Sequence, residues 1–440
     1  MSRSRTAVLI ICSTSLFVVG LDVSIVNVAL PSIGRDLATS VSGLQWTIDA
    51  YTLSFAGLLM FAGSTADRVG RKRVFLVGLV VFTGASVLCS VAPSLGTFVA
   101  FRALQGVGAS MLSPVALSIV TNTFTEARER AQAIGIWAAV FGVSTALGPV
   151  VGGLLVDGLG WRSIFWLNLP VGAAAVGLTL RFVPESRAAE PRRADPVGQA
   201  LVVVTLVAVI SGLIESNEVA LVIGAAALAG FVLWERRRGE PLLDLRLFRS
   251  ASFSGSTAIA VAAFATLGGF LFLNTLYLQD ERGLSPLRAG LYTLPMAAMA
   301  AALPPVCGRI VGARGARLPL AVAGAGMTAG CALLAAVDEA TPLWQLFGAY
   351  VAVGIGFGFV NAPITNAAVS ELPRSEAGLA GAVVSTARQV GQALGVAVVG
   401  ALAAGSGWLV LAGCGAIVLV LGLASTTRRP APAAAASLAG

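Results

Sequence analysis

Apolar residues run along this chain in stretches of about twenty, separated by short polar or Pro/Gly-rich breaks, from residue 7 to residue 424. A helix of that length crosses the roughly 30 Å hydrocarbon core of a bilayer. The pattern predicts fourteen spans. The first eight lie at 7–30, 43–64, 74–93, 97–121, 131–155, 162–182, 197–214 and 219–235. The remaining six lie at 253–278, 286–308, 317–336, 343–369, 377–403 and 406–424. The first run is too long for a secretory signal and continues directly into a second span. The expected fold class is an all-α polytopic membrane protein.

Composition agrees and removes several function classes. Of 440 residues, 57% are hydrophobic and 11% charged, with a mean hydropathy of +0.88. That is too little charge to cover a soluble domain, and no long polar segment remains for a single-span receptor. Histidine is absent, so proton chemistry near neutral pH falls to carboxylates. Lys72 is the sole lysine and no Gly-Lys-Ser/Thr occurs, which excludes a Walker phosphate loop. Cys12, Cys89, Cys307, Cys331 and Cys414 are scattered through apolar runs and read as packing residues rather than metal ligands. An enzyme is not expected, and neither is a cofactor or a bound metal.

The net charge of +8 is an orientation signal. With the N-terminus cytoplasmic, most basic residues fall in cytoplasmic segments, among them Arg68, Arg71, Lys72, Arg73, Arg192, Arg193, Arg236, Arg237 and Arg238. External loops hold acids such as Glu215, Glu218, Asp280 and Glu281. Both termini are expected in the cytoplasm. Membrane lipids are expected neighbours and nucleic acid is not.

Self-comparison shows matches at an offset of about 246 residues. Gly63 and Gly70 after the second span match Gly308 and Gly315 after the tenth. Gly106 and Gly108 match Gly354 and Gly356, and Gly148 matches Gly395. The chain is expected to divide into a six-helix half at 1–190 and an inserted helix pair with a basic loop at 191–249. A second six-helix half follows at 250–427, and then a disordered Ala/Pro tail at 428–440. Repeated halves of this kind place a substrate site between them near the bilayer midplane.

Charge inside a span is costly and marks function by default. Asp22, Asp49, Arg102 and Arg388 are the four such residues. Asp22 and Asp49 are candidates for taking up and releasing a proton as access alternates, or for neutralising a cationic substrate. Permanent pairing with a neighbour is the competing structural role for each. Arg102 is the expected partner of Asp22 or Asp49 and the organiser of Gln105, while Arg388 has no acid in any span of its own half. The loop Asp67-Arg68-Val69-Gly70-Arg71 reads as a clasp for one access state, with retention of positive charge as the plainer alternative. Gly148-Pro149 and Gly152-Gly153 predict a kinked, closely packed fifth span. Asn27, Gln105, Asn274 and Asn361 are candidate cavity residues.

Together these motifs resemble the major facilitator superfamily. Gly63–Arg73 is similar to its signature loop between spans two and three, and Arg102–Gly108 to its span-four motif. Gly148–Gly153 is similar to the span-five motif of its antiporters. Asp22–Pro31, Trp161–Gly172 and Pro241–Phe248 narrow the resemblance to the fourteen-span drug:proton antiporter branch. The resemblance implies proton-driven export of hydrophobic, often cationic compounds by a monomer in a bacterial cytoplasmic membrane. It implies proton coupling at Asp22 and Arg102, a gating clasp at Asp67 and Arg71, and an antiporter hinge at Gly148 and Pro149. Ser24, Thr65 and Ser144 depart mildly from the pattern, and no span of the second half carries an acid. A dedicated exporter of one host-made metabolite is the alternative within transport. A membrane sensor without transport is the alternative outside it.

Overall fold

The computed structural model describes residues 3–188, 195–239, 241–369, 377–402 and 404–425. These residues form helices and connecting turns, with no strand among them. In chain order the first helices are α1 (Arg3–Asp36), α2 (Val41–Val69), α3 (Arg71–Ser90), α4 (Leu95–Thr123) and α5 (Ala127–Leu159). Next come α6 (Ser163–Trp166), α7 (Asn168–Phe182), α8 (Pro196–Ile214) and α9 (Glu218–Glu235). After a 3₁₀ turn at Leu245–Arg249 come α10 (Ala251–Leu276), α11 (Pro286–Tyr292), α12 (Leu294–Ala302) and α13 (Pro304–Arg314). The last are α14 (Arg317–Leu334), α15 (Leu343–Gly358), α16 (Asn361–Val369), α17 (Ala377–Gly400) and α18 (Ala404–Ser425).

Among the described residues, 13 helices or helix runs are long and apolar enough to cross a membrane. They match the expected spans except 43–64. That span lies on α2, which is 29 residues long but buries Gln45, Thr47, Asp49 and Thr52, and which is outside this set. Helix starts follow the local chemistry. Ser94 and Thr97 form a capping box at α4, and Asp195 accepts from Gly198 N with Pro196 at the first turn of α8. The expected span at 286–308 is three short helices, because Pro286, Pro295 and Pro304 each restart the ladder at a first-turn position. α5 runs as one helix through Pro149. The C-terminal tail expected at 428–440 lies outside the described residues, as do Arg192 and Arg193 of the basic loop.

The hydrophobic clusters separate into two groups. Those of α1–α7 gather around Phe75, Phe82, Phe98 and Phe165. That of α10–α18 gathers around Phe253, Phe270, Phe272 and Tyr350, with Leu30, Leu44 and Ile48 reaching in from the other group. Glycines at the repeat offset make corresponding contacts. A Cβ on Gly106 would meet the Tyr51 backbone of α2, and one on Gly354 the Met296 backbone of α12. Gly108 abuts Phe82 of α3 and Gly356 abuts Met327 of α14. Gly148 abuts Ser24 of α1 and Gly395 abuts Ala265 of α10. The same small residue thus brings the same pair of helices together in each group.

α8 leans against both groups, and α9 packs on α8. Gln199 Nε2 donates to Gly57 O of α2, and Ile210 and Ile214 pack with Leu53, Ala393 and Ala397.

Candidate functional site

The hydrogen-bonding centre of the α1–α7 group lies between α1, α2 and α4, with α3 and α6–α7 closing it. Arg102 Nη1 donates to Asp22 Oδ2 at 2.7 Å and to Gln105 Oε1 at 2.6 Å. Gln105 Nε2 donates to Asp22 Oδ1 at 2.8 Å, and Asn168 Nδ2 reaches the same oxygen at 3.4 Å. Asn168 also donates to Ser86 Oγ (2.9 Å), whose hydroxyl donates to Phe165 O. Arg102 Nε donates to Thr47 O at 3.1 Å, and the guanidinium carbon sits 4.4 Å from the Tyr51 ring centroid. Asp22 and Arg102 are both buried. A buried ion pair leans on further hydrogen bonds, and here Thr47 O and Gln105 accept from the guanidinium while Gln105 and Asn168 donate to the carboxylate. The structure therefore pairs Arg102 with Asp22, not with Asp49.

Asp49 is the opposite case. It is fully buried in α2, and neither carboxylate oxygen has a hydrogen-bond partner. One turn toward the start of α2, Gln45 Nε2 donates to Val396 O (2.9 Å) and Ala397 O (2.8 Å) of α17. Asp49 thus lies four residues from a contact joining the two groups, on the helix that makes it.

Other contacts between the groups occur at the same end of the bundle. Gln279 Nε2 donates to Val28 O at 2.8 Å, Leu287 N donates to Asp157 Oδ2 at 3.1 Å, and Arg35 lies 3.8 Å from Asp280. Gly152 fits against Ile25 within α1–α7, whereas a Cβ on Gly153 would meet Leu287 Cα of α11 at 2.6 Å. Gly290 in turn abuts Pro149 O. The Gly148–Gly153 motif is therefore where α1, α5 and α11 meet. At the opposite end, which carries the 69–71 and 124–127 turns, no hydrogen bond or ion pair joins the groups among the described residues.

The Asp67–Arg71 loop lies at that opposite end and is held within its own group. Arg71 donates to Asp67 Oδ1 through Nε (3.1 Å) and Nη2 (2.8 Å). Arg71 N donates to Ser186 O, Ala188 N donates to Asp67 O, and Lys72 N donates to Glu185 Oε1. Gly70 has φ +126°, and a Cβ there would lie 2.7 Å from the Glu185 carboxyl. Arg68 bonds back to Ser64 O of its own helix, while Gly63 has only Pro114 nearby.

The candidate cavity residues are not brought together. Gln105 belongs to the Asp22 cluster, and Asn274 accepts a hydrogen bond from Tyr350. Asn27 donates to Val23 O and leaves its Oδ1 buried without a partner, and Asn361 is exposed. No hydrogen bond among the described residues joins any two of these four. Arg388 meets a hydroxyl and a ring rather than an acid: Nη2 donates to Thr365 Oγ1 at 2.8 Å, and the guanidinium lies 5.6 Å from the Phe264 ring. Sequence reasoning assigned no role to Ser86, Asn168 or Glu185. Asn168 stands inside a quoted motif and Glu185 is the acid directly after the sixth span, which is the signal each carried.

Comparison with known proteins fits this architecture. A family model described as Major Facilitator Superfamily matches residues 12–396 and 258–439. The chain is 38% identical over 418 residues to the multidrug resistance protein Stp of Mycobacterium tuberculosis, covering 93% of this chain and 77% of Stp. It is 36% identical over 413 residues to the tetracenomycin C resistance and export protein of Streptomyces glaucescens, covering 90% and 75% respectively. A crystal structure of a POT family transporter with 5-aminolevulinic acid superposes with a TM-score of 0.73 over 96% of this chain and 95% of that one. At 14% identity this last likeness shows the fold alone. With transporter relatives, helices fit to cross a membrane and a family model over nearly its whole length, the chain is a multi-pass membrane transporter, not an enzyme, and belongs to the Major Facilitator Superfamily.

Proposed function

We propose that this transporter is a proton-coupled antiporter that exports hydrophobic, often cationic, drugs or secondary metabolites from the bacterial cytoplasm by alternating access. The relatives' names, multidrug resistance for Stp and resistance and export for the tetracenomycin C protein, support the substrate class and the direction. Positive-inside loops support an orientation with both termini in the cytoplasm. In that orientation the joined end is external and the other end opens inward.

The observation that carries the proton role is Asp49. A carboxylate charge without a partner is costly in a buried site, so one proton and the rearrangement of α2 belong together. Proton binding at Asp49 suits the inward-facing arrangement described above. In the outward-facing arrangement Gln45 leaves α17, and Asp49 gains access to the external medium. Asp22 and Arg102 serve as the fixed pair that positions Gln105 and Asn168, and they change partners only if α1 and α4 move apart. Residues 1–190 and 250–427 are the two bodies that rock, with α1–α5–α11 at Gly148–Gly153 as the contact over which they do so.

The test is efflux from proteoliposomes under an imposed pH gradient, using a lipophilic cationic dye and a panel of antibiotics. Export driven by external acid, abolished in Asp49→Asn but retained for gradient-independent exchange, is the expected result. Export that ignores the gradient overturns proton coupling. Competition among chemically unrelated compounds separates a broad pump from a dedicated exporter.

A further inference from the structure

The end of the inserted pair holds a cavity of ≈ 490 Å³ whose lining includes Glu235, Arg236, Arg238, Asp244, Arg246 and Arg249. It is built from two segments. The residues directly after α9 supply Arg236 and Arg238, and the 3₁₀ turn leading into α10 supplies Arg246 and Arg249. Each of its acids accepts a backbone hydrogen bond. Glu235, which is buried, accepts from Leu243 N at 3.0 Å through Oε2, and Asp244 Oδ1 caps the 3₁₀ turn through Arg246 N at 2.9 Å. Arg238 lies 3.7 Å from Asp195. Arg236, Arg246 and Arg249 are exposed and make no ion pair with any described residue; Glu240 lies outside the described residues. Three guanidinium groups, unpaired among the described residues, therefore line one concavity, against one buried acid, Glu235, and the capping Asp244.

We propose that this cavity binds the phosphate headgroup of an anionic phospholipid through Arg236, Arg246 and Arg249. Guanidinium forks match phosphate oxygens in paired, charge-assisted hydrogen bonds. Positive charge retained only for topology has no need of a shaped recess spanning two segments. The position selects a lipid over a soluble phosphate. The cavity begins at the last residue of an apolar helix, with Leu233 and Phe248 exposed beside it. Trp234, which donates to the Asp195 carboxylate at 3.1 Å, is an aromatic of the kind that sits at headgroup depth. Basic recesses at this level collect anionic headgroups. A lipid seated here ties α9 to the turn that starts α10. Because α8 packs on both α2 and α17, it fastens the inserted pair across the contact between the two helix groups.

The experiment uses the full chain purified in mild detergent. Retained lipid is counted by native mass spectrometry, and Tm is followed against added phosphatidylglycerol, phosphatidylcholine of the same acyl chains, or inorganic phosphate. The expected result is selective retention of phosphatidylglycerol and a rise in Tm with it alone. Arg246→Gln/Arg249→Gln should raise the half-saturating phosphatidylglycerol concentration about tenfold or more. Arg128→Gln/Arg130→Gln, which removes equal charge from the start of α5, should leave it unchanged. Equal lipid response in the first variant, or equal loss in the second, overturns the site. An equal Tm rise with inorganic phosphate overturns the lipid assignment. If the glutamine variant does not elute as a folded species, Arg246→Lys/Arg249→Lys takes its place. That variant keeps the charge, loses the forks, and should bind measurably more weakly than the parent chain.

Discussion

Arg102 holds Asp22 at 2.7 Å in a buried ion pair, and Gln105 bonds to both partners. Asp49, one helix away on α2, has no partner at all. The two acids looked alike in the sequence, each a lone aspartate in an apolar run. Their surroundings differ: one carboxylate is bonded on both oxygens and the other on neither.

That separation predicts opposite stability effects. Arg102→Ala strands the Asp22 carboxylate among Gln105, Asn168 and the Tyr51 ring, and should cost about 3–5 kcal/mol. Asp22→Asn/Arg102→Met removes both charges and should recover much of that loss. Denaturant or thermal unfolding in detergent gives the comparison. A double variant as unstable as Arg102→Ala would show that the hydrogen bonds, not the stranded charge, matter.

Asp49→Asn removes a carboxylate that bonds to nothing, so its effect on stability should stay within about 1 kcal/mol. Transport driven by a pH gradient should nevertheless fall to background. The pairing of unchanged Tm with lost gradient response is the signature, measured on one preparation. A large loss of Tm would mean that Asp49 has a structural partner in the dominant state.

How much of this was legible beforehand follows a physical division. Hydrophobic run length located helices because the bilayer imposes one length on all of them. It did not show that Pro295 and Pro304 divide 286–308 into α11, α12 and α13. Glycine spacing was informative because close helix approach excludes a Cβ at Gly106, Gly108 and Gly148 and equally at Gly354, Gly356 and Gly395. Which acid Arg102 chooses was not legible, since Asp22 and Asp49 both lie far from it in sequence and only the packing of α1 on α4 decides. Glu185 was silent for the same reason: its task is to meet Lys72 N, 113 positions away.

Gly70→Ala tests the loop. The backbone there has φ +126°, which an L side chain tolerates poorly, and the new Cβ would displace the Glu185 carboxyl from 2.7 Å. The cost should be about 1–3 kcal/mol. Part of it is the Lys72 N–Glu185 bond, so Glu185→Ala, which removes the acceptor, should cost less stability in the Gly70→Ala background than in the parent. Unfolding of the four proteins in a double-mutant cycle measures this coupling.

Gly153→Val should keep the joined end apart, because its side chain occupies the position of the Leu287 backbone. A disulfide between Asp157→Cys and Leu287→Cys, in a background lacking the five native cysteines, reports closure, since Asp157 Oδ2 and Leu287 N are 3.1 Å apart. Cross-linking should be efficient in that background and fall at least several-fold with Gly153→Val. Undiminished cross-linking would mean α11 finds another seat on α5.

Gln45→Ala and Gln279→Ala probe the same closure by hydrogen bonds. Gln45 donates to two carbonyls of α17, and Gln279 to Val28 O of α1, so each substitution leaves buried acceptors without a donor only while the end is joined. Loss of such a bond costs about 0.5–1.5 kcal/mol, which shifts a two-state population roughly two- to tenfold toward the open end. Because both bonds bias one equilibrium and lie on different helix pairs, their effects should add as free energies in the double variant. Distances between spin labels placed across the α2–α17 contact and the Val28–Gln279 contact should lengthen together, in the same proportion, in either single variant. Lengthening confined to the helix pair that lost its bond would show local fraying instead of a concerted opening of the two groups.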